Sequence, residues 1–202
     1  MTFVARPRGF DESEVLRAAR DQFWGSGYAA TSVDDIGAAT GLGKGSLYGA
    51  FGDKHQLYLR VFDEYCARFV RFARRALEGP DAGAYERLCT YVVDVVEAAA
   101  RDTARRGCLL ANGAAELAGK DPTVADRARV ALEQTEELMA TCVAAAQREG
   151  HLDPQADPRQ LAALLLAVLR GVEALGKAGR DPASLRSIAH TALATLPRPP
   201  TN

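Results

Sequence analysis

The chain has 202 residues, 48% of them hydrophobic, and a formal charge of −1. That is enough apolar material for a substantial core in one domain, or in a small domain joined to a larger one, and too little net charge to attract nucleic acid in bulk. No apolar run approaches the roughly 18 residues a membrane span needs, and M-T-F-V-A-R-P-R lacks a signal-peptide hydrophobic region, so a cytoplasmic protein without membrane contact is expected. Cys66, Cys89, Cys108 and Cys142 are unevenly spaced with no C-x-x-C, and His55, His151 and His190 share no metal-ligand spacing. Neither a disulfide framework nor a metal site is expected, and no cofactor.

Residues 1–10 carry Arg6, Pro7 and Arg8 with little apolar periodicity and read as a terminal arm, either frayed or touching the phosphate or minor groove of a duplex. Asp11 with Glu14 opens a first helix whose Leu16, Ala19 and Phe23 form one stripe and which Gly25 or Gly27 ends. Thr31 or Ser32, with an acid three residues on, caps a short helix over 33–40. Gly41 supplies a sharp turn, and a second short helix over 44–51 turns Leu47 and Phe51 inward. Two short helices about a glycine turn make a helix-turn-helix, whose second helix lies in the DNA major groove. Tyr28 is expected to pack beneath this motif.

On that second helix Lys44, Gly45, Ser46, Tyr48 and Gly49 point away from the apolar face. A lysine neutralises phosphate, hydroxyls donate hydrogen bonds, and glycines let the backbone approach a duplex. Residues 1–60 hold seven cations and seven acids, but the acids gather near helix starts and Lys44 is the only charge from Thr40 to Gly52. Affinity for DNA would therefore come from placement.

The segments F-W-G-S-G-Y-A-A-T-S-V-D-D-I, K-G-S-L-Y and F-G-D-K-H-Q-L-Y, at their spacing, resemble the DNA-binding signature of the TetR family of bacterial regulators. The resemblance implies DNA contacts at Thr31, Ser32, Lys44, Ser46, Tyr48 and Lys54, with Gly45 in close approach. Gly43 and Gly49 depart from it, standing where the family often has a side chain, so base readout through them is impossible.

Asp53 with Gln56 opens a long helix over 54–78, stopped by Gly79-Pro80. At about 37 Å it is longer than a small DNA-binding domain needs and ties two domains together. The division expected is an N-terminal helix-turn-helix domain, 1–53, and a helical effector-binding and dimerisation domain, 54–202, in an all-α chain. Leu88, Val92, Val95 and Ala99 mark a helix ending near Arg105, and Cys108, Ala111 and Ala115 a shorter one. Asp121-Pro122, Asp157-Pro158 and Asp181-Pro182 each pair a cap with proline at the first helical position, opening helices to about 149, 178 and 196. The helix from Pro158 is apolar on more than one face, so it is either wholly buried or shared with a second subunit. The family resemblance favours a homodimer through the last two helices.

G-L-G-K-G-S fails as a phosphate-binding loop, because Gly37 is one residue too far from Gly43 and Gly45 follows Lys44; no G-x-S-x-G or H-E-x-x-H occurs. No enzyme is expected, although a helical enzyme or carrier with a chance helix-turn-helix pattern is the competing class. The resemblance implies a repressor released from a palindromic double-stranded operator by a small-molecule or reactive effector. Cys108, in A-R-R-G-C-L-L, follows two arginines at a helix start, where cations and free N–H groups favour thiolate. R-R-G-C-L-L-A-N-G-A-A-E-L-A also resembles the effector region of a TetR subgroup in which some members sense electrophiles or oxidants through a cysteine, with Lys177 as a further cation; the competing role is an inert core thiol.

Overall fold

Aspartate or serine side chains cap most of the helices in the computed structural model, which describes residues 10–199. The arm with Arg6 and Arg8 lies outside the described residues. Asp11 accepts from the Ser13 N–H at the start of α1 (Glu12–Ser26), and Gly27, at φ 84°, ends it. Ser32 and Asp35 form a reciprocal capping box on α2 (Val33–Thr40), closed by Gly41 in the left-handed region. After α3 (Lys44–Phe51) come α4 (Lys54–Leu77), α5 (Ala84–Arg101), α6 (Leu109–Leu117), α7 (Pro122–Arg148), α8 (Pro158–Lys177) and α9 (Pro182–Ala194). Asp121, Asp157 and Asp181 cap α7, α8 and α9, each with proline in the first turn. The all-α expectation holds: no strand occurs among the described residues.

One boundary differs by four residues. The α5 helix ends at Arg101, not near Arg105, because the Asp102 carboxylate accepts from the Gly107 N–H at 2.9 Å and closes a loop. Arg105 and Gly107 take positive φ in that loop, 51° and 64°. A local side-chain bond competes with helix continuation there.

The chain forms two compact units, up to Glu64 and from Tyr65, dividing inside α4. The first is built on Leu16, Ala19 and Phe23 of α1, Ile36 of α2, Leu47 and Phe51 of α3, and Leu57, Tyr58, Val61 and Phe62 of α4, all buried. Tyr28 packs in it as expected, edge-on to Tyr58 at 4.9 Å between centroids. Ring packing of this kind adds about 0.5–1.5 kcal/mol beyond area burial. The second unit gathers the end of α4 with α5, α7, α8 and α9 around Leu88, Val92, Met139, Val143, Leu165 and Leu169.

Candidate nucleic-acid interface and effector site

The α2–α3 pair is held from beneath by Ile36 and Leu47, both almost fully buried. Gly43 at the start of α3 provides no side-chain cap, and its carbonyl takes the Ser46 and Leu47 N–H groups. Lys44, Gly45, Ser46, Tyr48 and Gly49 are all exposed on α3, as the sequence predicts. A Cβ built on Gly43, Gly45 or Gly49 would meet nothing within 4 Å. The protein's own packing therefore gives no reason for glycine at these positions, and two of them stand inside a helix where glycine costs about 0.5–1 kcal/mol relative to alanine.

Four predicted contacts have partners of their own. Lys44 is paired with Asp34 of α2, Nζ to Oδ2 at 2.8 Å, and that carboxylate holds the lysine pKa above its usual value. Lys54 places its Nζ 4.3 Å from the Tyr28 ring centroid, a cation–π contact. Ser32 shares its Oγ with Asp35 at 2.6 Å in the capping box; its hydrogen bonds hold the Asp35 carboxyl below the ordinary value. Thr31 requires a correction. It is 1% exposed, and its hydroxyl lies 2.7 Å from the Gly27 carbonyl and 3.3 Å from that of Gln22. It pins the end of α1 to the start of α2 rather than offering a hydroxyl to a duplex.

In the second unit Cys108 caps α6 without a side-chain cap bond and is buried. The Tyr65 hydroxyl of α4 donates toward its Sγ at 3.6 Å and Nη1 of Arg170 on α8 at 3.2 Å. The same Nη1 lies 2.5 Å from Oε2 of Glu173, close enough for an ion pair but off the axis of a hydrogen bond. The thiolate expectation is corrected here. Burial first, and then the Glu173 charge, push the Cys108 thiol above its ordinary value, outweighing Arg170. Burial also raises Glu173 against the pull of Arg170, and raises Tyr91 to about 12. Lys177 packs its aliphatic stem on the loop: a Cβ on Gly107 would come within 3.3 Å of its Cβ and Cδ. Sequence reasoning missed Arg170 and Glu173. The available signal was an Arg-x-x-Glu pair set into the otherwise apolar run A-A-L-L-L-A-V-L-R-G-V-E-A-L-G.

Two family descriptions match the chain: bacterial regulatory proteins of the tetR family over residues 15–61, and the tetracyclin repressor-like C-terminal domain over residues 84–192. The HTH-type transcriptional repressor ComR of Escherichia coli K12 is 27% identical over 192 residues, covering 95% of this chain and 91% of its own. A TetR transcriptional regulator from Chloroflexus aurantiacus is 27% identical with a TM-score of 0.79, covering 90% of this chain and 91% of that one. A cysteine variant of the TetR family regulator CifR, solved in complex with 26-base-pair operator DNA, is 27% identical with a TM-score of 0.76, covering 95% and 100%.

Proposed function

Since the chain belongs to the TetR family of bacterial regulatory proteins, we propose that it is a DNA-binding transcriptional regulator: a homodimeric repressor that leaves a palindromic operator when a small-molecule or reactive effector binds. The observation that carries this is the exposed face of α3, with Lys44, Ser46 and Tyr48 around two glycines that no intramolecular contact requires. Close approach of α3 to a phosphate backbone accounts for those glycines. Residues 1–53 serve DNA binding and 54–202 effector binding and dimerisation, with α4 common to both roles. The protein acts in the cytoplasm, where its operator is, and carries out no catalysis.

The dimer reading is supported by α8. Ala163, Leu164, Ala167, Gly171, Ala174 and Leu175 are exposed at helical spacing, with Leu164 at 54% and Leu175 at 40%. Such a stripe of small and large apolar groups suits a helix of a second copy. Two recognition helices in one dimer enter successive major grooves about 34 Å apart, so a modest movement of α4 ends simultaneous docking.

The effector is met at the cluster around Cys108, with Lys177 beside it. Tyr65 brings α4 into that cluster through the Sγ contact. Oxidation or alkylation of Cys108, or a ligand among these side chains, would displace α4. Selection of bound fragments from genomic DNA, followed by a gel-shift titration of the selected duplex, tests the regulator reading. A carrier or enzyme would select nothing.

A further inference from the structure

Arg170 uses only one corner of its guanidinium. Nη1 faces both Cys108 and Glu173, whereas Nε and Nη2 are enclosed and have no hydrogen-bond partner. Those two nitrogens form the edge that grips a carboxylate through two parallel N–H bonds. Leaving a buried charged donor without an acceptor is costly, so the edge is poised for one. Beneath it lies the Phe69 ring of α4, 4.8 Å from the guanidinium carbon, and the neighbouring Tyr91 packs on Phe72 at 5.7 Å. The side chains of Arg170 and Glu173 keep 17% and 16% of their exposure through atoms other than Nε, Nη2 and Oε2, so a ligand reaches that edge by parting the side chains around it.

We infer that the Nε–Nη2 edge of Arg170 is the recognition group for a small monocarboxylate with an apolar body, which is the effector class of this regulator. The inference rests on the effector site proposed above. Charge selects the class. Arg170 and Glu173 together are neutral, so a bound monoanion leaves one excess negative charge, which a single proton on Glu173 removes; a phosphate dianion would need two. The groups facing Glu173 are Arg170 on its own helix, Cys108 from the start of α6, Tyr65 from α4 and Tyr91 from α5. Burial already favours the protonated carboxyl. Ligand on Arg170 also rests against α4, which gives binding a route to the DNA-reading unit.

Benzoate is the probe, titrated into isotope-labelled full-length protein with the Arg170 Nε–H resonance and calorimetry as readouts. Benzoate should shift that resonance, and benzyl alcohol, the same ring without the carboxylate, should not. Arg170→Lys keeps a cation beside Glu173 and gives up the fork; it should fold normally and bind at least about tenfold more weakly. Arg170→Met/Glu173→Gln, free of any unpaired charge, should lose binding. Affinity should rise as pH falls, by up to about tenfold per unit while Glu173 takes up the proton. An unmoved Nε–H resonance, or equal benzoate affinity in Arg170→Lys, would overturn the inference while leaving DNA binding untouched. Benzoate binding through Arg170 in a protein that selects no DNA would overturn the regulator reading and leave the carboxylate site standing.

Discussion

Lys44 at the start of α3 is held by Asp34 of α2 through a 2.8 Å Nζ–Oδ2 contact, although both side chains are more than half exposed. An exposed pair of this kind contributes little to stability, but it ties the one cation of the α3 face to a carboxylate on the same surface. Asp34→Asn should therefore tighten binding to any duplex several-fold, because phosphate no longer competes with Asp34 for the ammonium. Lys44→Ala should weaken binding across sequences and reduce the slope of log affinity against log salt by about one. Fluorescence anisotropy with a labelled duplex across a salt series gives both; an unchanged slope in Lys44→Ala would mean a solvated lysine with no phosphate contact.

Gly45→Ala and Gly49→Ala separate fold from function. Neither glycine has a positive φ, and an added methyl meets nothing, so each change should stabilise the protein by about 0.5–1 kcal/mol. Both should nonetheless lower DNA affinity, because the methyl occupies the gap to the backbone of the duplex. Thermal unfolding beside DNA titration would show the opposed signs; wild-type affinity in both variants would remove close approach as the reason for glycine.

Thr31→Val tests the corrected role of that residue. Replacing a buried hydroxyl that lies against two carbonyls should cost about 1–3 kcal/mol. Any loss of DNA binding should track the loss of folded protein on denaturant titration. Weakened binding at full stability would return Thr31 to the interface.

Cys108 should be a slow thiol. With its pKa raised by burial and by Glu173, the thiolate fraction at neutral pH lies below that of a free cysteine. Alkylation of Cys108 should rise with pH through and beyond the free-thiol range, and Glu173→Gln should quicken it by removing a negative charge. Site-resolved mass spectrometry after timed iodoacetamide treatment tracks the rate; a rate already at plateau at neutral pH would restore the low-pKa sensor.

How far the sequence foretells this arrangement depends on the range of the interactions. Ser32 with Asp35, and the three Asp-Pro pairs, act within one helical turn, so α2, α7, α8 and α9 begin where the residues say they should. Asp102 acts over five residues on a loop with two positive φ values. Periodicity does not register such a bond, so α5 ends earlier than its apolar spacing predicts. The partners of Cys108 stand 43 and 62 residues away, at Tyr65 and Arg170. A helix-start rule weighs the local N–H groups but not the burial and the Glu173 charge that packing brings. The same limit hides the enclosed edge of Arg170, since an arginine on a helix looks like a solvated one until its neighbours are placed.

Docking of two α3 helices on one operator can be read from salt-dependent binding of the purified protein to its genomically selected duplex. One dimer should bind each palindromic site, with log affinity falling linearly and steeply in log salt as phosphate contacts release counterions. A monomer at micromolar concentration that binds a single half-site as tightly as the palindrome, or binding that does not change with salt, would contradict it.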